Sequence, residues 1–335
     1  MAIPTQISDL FAILGMTNVV ENTTTNDNNN TIPGATTNDY IDGKGGIDTL
    51  SGGDGNDFIQ GGAGIDILNG GAGTDTVSYA DVTGGGVTVL MLAGTALTPL
   101  SGGVLELFSA FENAVGSNQN DTITGDNRNN VLAGLNGNDT LNGGNGNDTL
   151  VGGAGGDTLN GGGGIDTADY STSGAGVRVN LTTGFTADGD AAGDTLIAIE
   201  NLTGSAFNDQ LTGDAGANRI QGGGGLNFLV GAAGNDIFVF KSASEASMAL
   251  IGDFIVGDKI DLSAIDANTN TIGVDDAFTS IGTGFTGAAG SLRYDQDGIS
   301  LGYLQGDTNG DGLEDFTIEF GLLSDVPTQL TDFIL

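Results

Sequence analysis

In the stretch GGDGNDFIQGGAGIDILNGGAGTDTVS, residues 52 to 78, an aspartate falls at every ninth position and each is set among glycines. A short fixed period constrains the fold more than any composition value, because it is the mark of small units that bury their apolar faces only by stacking on one another. Three runs share the register. The first covers 34 to 78 with Asp39, Asp48, Asp57, Asp66 and Asp75; the second covers 116 to 169 with Asp121, Asn130, Asp139, Asp148, Asp157 and Asp166. The third covers 204 to 239 with Asp209, Asn218, Asn227 and Asp236.

Two residues after each of these positions the side chain is apolar, from Ile41, Leu50, Ile59, Leu68 and Val77 in the first run to Phe238 at the end of the third. Alternate side chains of a strand face opposite ways, so one apolar residue flanked by Thr, Asn or Ser sends a single side chain inward. Each nonapeptide therefore reads as a six-residue turn and a three-residue strand. The 62 glycines belong mostly to these turns, where the backbone must adopt positive φ. The expected fold class is all-β: a parallel β-roll built as a calcium-bound nonapeptide solenoid, with strand-rich insertions, a C-terminal β-rich domain and a short N-terminal helix.

Parallel strands stack about 4.8 Å apart. Carboxylates at that spacing repel by roughly 1 to 3 kcal/mol per pair, and several such pairs rival the roughly 5 to 15 kcal/mol net stability of a domain. The chain carries 43 acidic against 7 basic residues, a net charge of -36, so its own cations cannot neutralise the stack. A divalent ion between turns reverses the sign. With neither cysteine nor histidine present, any metal must be held by oxygen. Calcium accepts six to eight oxygens in flexible geometry, whereas magnesium demands a stricter octahedron. The expected cofactor is Ca2+, several ions of it, and the expected ligands are Asp48, Asp57, Asp66, Asp75, Asp121, Asp139, Asp148, Asp157, Asp166, Asp209 and Asp236. Alternate nonapeptides lie on alternate sides, so each ion should join units eighteen residues apart, such as Asp48 with Asp66 and Asp139 with Asp157. The three asparagines should give weaker sites. A glycine-rich array with merely solubilising acids would not need the register coupled to an apolar position.

Other classes are excluded or disfavoured. A phosphate backbone would be repelled, so no nucleic-acid partner is expected. Residues 82 to 105 are uncharged and long enough for a membrane helix, but Gly84, Gly85, Gly86, Gly94 and Pro99 interrupt them, and strands on a soluble body are expected instead of stable membrane insertion. The N-terminus lacks the basic segment and cleavage site of a cleaved signal. No catalytic constellation is visible, which leans against an enzyme. A regular threonine row of the kind an ice-binding face needs is also missing.

The segments between the runs repeat as well. Tyr79 matches Tyr170 at an offset of 91 and Glu112 matches Glu200 at an offset of 88, so a module of roll, insertion and roll is duplicated. The insertions are expected as hairpins capping or flanking the rolls. The division expected is 1–33 N-terminal helix and polar linker, 34–78 first roll, 79–115 insertion, 116–169 second roll, 170–203 insertion, 204–239 third roll and 240–335 C-terminal domain. Helical spacing of Ile7, Leu10, Phe11 and Leu14 places the short helix, read as a cap on the first coil. DTNGDGLEDF, residues 307 to 316, opens like an EF-hand loop, but position twelve is Ile318, and a tight turn between strands is expected there.

The nonapeptides resemble the GGxGxDxUx repeats of RTX calcium-binding, hemolysin-type proteins. FVFKSASEAS, IGDFIVGDKIDLSAID, FTGAAGSLRY, DTNGDGLEDFTIEF and the final DFIL resemble the C-terminal domain of serralysin-type secreted proteases. The resemblance implies type I secretion by a Gram-negative bacterium, with the secretion machinery as a partner, an uncleaved C-terminal signal ending in Asp332, Phe333, Ile334 and Leu335, and a secreted, extracellular or cell-surface location. The HExxH zinc motif of those proteases cannot exist without histidine. What remains is an extracellular calcium-binding protein that folds on meeting calcium outside the cell, with a structural or interaction role. The alternatives are a surface adhesin or matrix component, or a calcium-dependent enzyme or membrane-active protein acting through the insertions.

Overall fold

The computed structural model describes residues 13–14, 20–23, 28–99, 105–247, 249–271, 276–296, 302–323 and 330–335. The expected N-terminal helix falls outside them except for Ile13 and Leu14, which form a turn. Leu14 is buried against Tyr40, Phe58, Val115, Ala133 and Val151. The chain is nearly all β and divides into two units, residues 1–172 with 190–199, and residues 173–189 with 200–335.

In the first unit, successive nonapeptides feed two sheets in turn. One contains Asp39–Asp42, Phe58–Gln60, Thr76–Ser78, Asn113–Val115, Val131–Asn136, Thr149–Ala154 and Thr167–Asp169, all parallel. Its inward residues Ile41, Ile59, Val77, Ala114, Leu132, Leu150 and Ala168 are each 0% exposed. The second sheet carries Thr31–Pro33, Thr49–Asp54, Ile67–Ala72, Thr122–Thr124, Thr140–Asn145, Thr158–Gly163 and Thr195–Ile197. Partners lie eighteen residues apart, as Leu132 with Leu150 and Leu141 with Leu159. Like side chains therefore stack on like, which is why a three-residue strand with one inward residue suffices: its partners above and below complete the core.

The first insertion does not flank this coil; it is laid into the second sheet. Leu105–Ser109 runs parallel to Ile67–Ala72, Thr95–Leu97 is antiparallel to it, and Thr88–Leu90 is antiparallel to that and parallel to Thr122–Thr124. The three-strand meander reverses direction twice, so its outer strands both match the direction of the roll and leave no unpaired edge.

In the second unit, Asn201–Thr203, Arg219–Gln221, Ile237–Val239, Lys259–Asp261 and Phe333–Ile334 form one parallel set. The facing set runs from Phe185–Ala187 and Arg178–Asn180 through Gln210–Thr212, Asn227–Val230, Ala249–Phe254 and Phe316–Leu323 to the antiparallel strands Gly302–Asp307 and Ser291–Gln296. Phenylalanines replace the small aliphatics of the rolls. Phe254 packs edge-on to Phe320 with ring centroids 5.7 Å apart and tilted on Phe238 at 6.4 Å.

Candidate metal-binding ladder

In the repeat aspartates within the runs, Asp48, Asp57, Asp66, Asp75, Asp139, Asp148 and Asp157 among them, the two oxygens have different fates. Oδ1 accepts the main-chain amide of the residue eighteen positions earlier. Asp48 donates to Asp66, Asp57 to Asp75, Asp121 to Asp139, Asp139 to Asp157 and Asp148 to Asp166, all at 2.7 to 2.8 Å. The spacing of eighteen read from the sequence is thus a bonded relationship, and it brings the expected pairs into adjacent turns. A parallel row of asparagines one residue before the aspartates makes rungs of the opposite sense, accepting from the amide eighteen residues later, as when Asn56 accepts from Thr74 and Asn147 from Ile165.

Oδ2 turns back toward the first glycine of its own turn. For Asp48, Asp57, Asp66, Asp75, Asp139, Asp148, Asp157 and Asp236 it is buried and accepts no hydrogen bond. A methyl group placed on Gly134 would sit 2.2 Å from Asp139 Oδ2 and 2.6 Å from the Gly152 carbonyl oxygen. Gly143 stands in the same relation to Asp148 Oδ2 and the Gly161 carbonyl, at 2.2 and 2.6 Å. Glycine is needed here to keep a carboxylate oxygen and a carbonyl oxygen facing a common space. Among the described residues no three carboxylates converge on one point; the oxygens that share a space are a single carboxylate and a main-chain carbonyl.

Burial without a counter-charge is costly for these acids. It pushes Asp57, Asp66, Asp148, Asp157 and Asp236 up to about 6 and Asp75 and Asp139 up to about 7, opposed in each case by the amide that donates to Oδ1. Neighbouring ladder carboxylates raise Asp66, through Asp48, and Asp139, through Asp121 and Asp157. A buried oxygen with no donor, facing carbonyls and repelled by its neighbours, fits a hard cation and nothing that the chain itself supplies.

Other positions of the register are arranged differently. Asp121 and Asp209 follow the insertions, and their Oδ2 atoms accept the amides of Ser117 and Ser205 at 2.5 and 2.8 Å. Their Oδ1 atoms accept from Val87 and Val177 and from the same serine hydroxyls. Asn130 accepts from the Asp126 amide and donates to the Glu112 carbonyl; Asn218 repeats this with Asp214 and Glu200. Beside Asn130 the Arg128 guanidinium gathers Asp126, Glu112 and the Phe111 carbonyl, so a fixed cation serves where the ladder lacks an acid. Asn227 accepts from Asp209 at 2.9 Å.

Three acids outside the periodic set prolong the ladder. Asp75 donates to Glu112, Asp157 to Asp194 and Asp236 to Asp258. Sequence periodicity misses them because inserted residues shift their numbers; the only signal is that the first two contacts both span 37 residues. Residues 307–316 form the expected turn between Gly302–Asp307 and Phe316–Leu323, with Asp307 accepting from Gly310 and Gly312, and Asp315 from Thr308.

Residues 157–335 match the family described as Peptidase M10 serralysin C terminal. Residues 24–50, 51–80, 115–150 and 133–168 match the RTX calcium-binding nonapeptide repeat. No curated protein matches the chain. Among solved structures it is similar to the extracellular lipase LipA from Serratia marcescens, at 17% identity and a TM-score of 0.22 over 95% of this chain and 42% of that one. The chain thus spans less than half the length of that protein. With the matched C-terminal region extending over more than half of its residues, the chain belongs to the serralysin C-terminal family, and its nonapeptides are RTX calcium-binding repeats.

Proposed function

We propose that this is an extracellular calcium-binding RTX protein, exported by type I secretion from a Gram-negative cell and folded by calcium outside it, with a structural or interaction role. The observation that carries the reading is the row of buried Oδ2 atoms without donors, repeated at one position of the register. Asp48, Asp57, Asp66, Asp75, Asp139, Asp148, Asp157, Asp166 and Asp236 would hold the ions together with turn carbonyls. Asp121 and Asp209, whose oxygens already accept hydrogen bonds, are assigned as weaker end positions. Calcium supplies charge that cancels the repulsion of the stack. At the roughly millimolar calcium outside a cell, even sites of about 10⁻⁴ to 10⁻³ M would fill. Circular dichroism at pH 7.5 in excess chelator and in millimolar calcium tests this: the β signal should be small in chelator and full in calcium, and a full β spectrum in chelator at that pH would overturn it.

An adhesin or matrix role is favoured by one feature. Ile67, Leu107, Leu105 and Leu97 lie on the outward face of adjoining strands of the first unit and are 40 to 55% exposed. Attachment of cells carrying Leu105→Ser and Leu107→Ser, compared with the parent, tests it; equal attachment would exclude this face.

A further inference from the structure

The two tyrosines matched across the duplicated module each stand where the roll would have its next first glycine. Gly152 lies one turn before Tyr170, in continuation of the pairing of Leu150 with Ala168. Gly61 lies one turn before Tyr79, in continuation of the pairing of Gln60 with Ser78. At Gly152 and Gly61 an added methyl would meet Oδ2 of Asp157 at 2.3 Å and of Asp66 at 2.5 Å. A tyrosine therefore projects its ring into the space that the glycine leaves open beside the acid.

The acid one turn beyond Asp157 is Asp194, since Asp157 donates to Asp194 Oδ1 at 2.8 Å. Tyr170 donates its hydroxyl to Asp194 Oδ2 at 3.0 Å, and both residues are buried, at 2% and 5% exposure. The acid one turn beyond Asp66 is Glu106, since Leu107 pairs with Ile67. Glu106 is 1% exposed, with Thr98 donating to its Oε1 at 3.2 Å, and neither its Oε2 nor the hydroxyl of the buried Tyr79 has a hydrogen-bond partner. At Asp194 the outer carboxylate oxygen, which accepts no hydrogen bond in Asp139 or Asp157, meets a phenol, whereas no such bond joins Tyr79 to Glu106.

We infer that Tyr170 terminates the calcium ladder on its side of the roll: its phenol fills the place of the next ion, and the acid it faces, Asp194, is a hydrogen-bond acceptor and not a metal ligand. The inference rests on the calcium reading above. A neutral donor satisfies the last acid and adds no charge, and the ring excludes both water and cation from the terminal turn.

The test is the number of calcium ions bound by the full chain, measured by equilibrium dialysis with atomic emission, with circular dichroism monitoring the fold. Asp157→Asn should lose at least one ion relative to the parent, whereas Asp194→Asn, which retains the acceptor for the Asp157 amide, should lose none. Tyr170→Gly should gain one ion, and Tyr170→Gly with Asp194→Asn should return to the parental number. Loss of an ion in Asp194→Asn would overturn the inference, even if Tyr170→Gly failed to fold. A parent chain that binds no calcium would instead overturn the reading on which it rests.

Discussion

The main-chain amide of Asp157 donates to Asp194 Oδ1 at 2.8 Å across 37 residues, the contact that Asp139 makes with Asp157 at 2.8 Å across 18. An insertion thus changes the chain path without breaking the ladder. Asp75 and Glu112 repeat the arrangement at 2.9 Å across the same 37 residues. The unit conserved by the fold is the amide-to-carboxylate rung, and sequence separation is secondary to it.

That rung separates two roles in one side chain. Asp157→Asn keeps an oxygen to accept the Asp139 amide but removes the charge at Oδ2. Without calcium the variant should be more stable than the parent, by roughly 1 kcal/mol, because a repulsion between ladder acids is gone. With calcium it should be less stable and require several-fold more ion at its folding midpoint. Chemical denaturation with and without calcium checks both signs; a variant weakened in both conditions would contradict the division of roles.

The cation-free chain should respond to pH in the opposite direction from a protein whose carboxylates are paired in salt bridges, which loses stability as pH falls. Asp57, Asp66, Asp148, Asp157 and Asp236 are raised to about 6, and Asp75 and Asp139 to about 7, from an ordinary 3.8. Between those limits the folded state binds more protons than the unfolded one, so stability falls as pH rises. It is fully present below about pH 4 and lost through about pH 6 to 7. β structure in excess chelator should therefore grow as pH is lowered from 7.5 to 4.5, and dichroism across that range measures it. A flat profile would show that the acids are not buried as charges in the apo state.

Much of this was legible in the sequence for a physical reason: a stack of identical units forces identical residues into register, so period, inward residue and buried acid coincide. Asp48 and Asp66, or Leu132 and Leu150, needed only counting. What was not legible depends on contacts between non-identical units. Nothing local marks Asp194 or Asp258 as ladder positions, and the first insertion joins the sheet because its strand directions alternate, a fact of three-dimensional pairing. The asparagine sites illustrate the same limit. Asn130 keeps the register, but Arg128, two residues away, supplies the charge that its neighbours meet.

Steric space separates glycines that composition cannot tell apart. Gly143 and Gly174 both lie outside the left-handed region, but a methyl on Gly143 would collide with Asp148 Oδ2 and the Gly161 carbonyl, while nothing lies within 4 Å of one on Gly174. Gly143→Ala should lose about 2 kcal/mol or more of calcium-bound stability, through displacement of two oxygens that cannot both give way. Gly174→Ala should be neutral or gain a few tenths to about 1 kcal/mol from the stiffer unfolded chain. Thermal unfolding of the two variants in calcium checks the contrast, and equal effects would remove the steric account of the repeated turn.

The sign reverses at Ala232. It occupies the second glycine position of its turn, four residues before Asp236, and holds φ of 75°. A β-carbon in the left-handed region costs about 1 to 2 kcal/mol. Glycine removes that cost but gives back up to about 1 kcal/mol through the greater freedom of the unfolded chain. Its amide donates to Asp253 Oδ2 at 3.0 Å, a contact that the substitution leaves intact. Ala232→Gly, ordinarily a destabilising change, should therefore raise stability in calcium by about 0.5 to 1 kcal/mol. Denaturant unfolding of the full chain measures this, and a loss of stability would mean that the methyl group contributes packing worth more than the backbone strain it imposes.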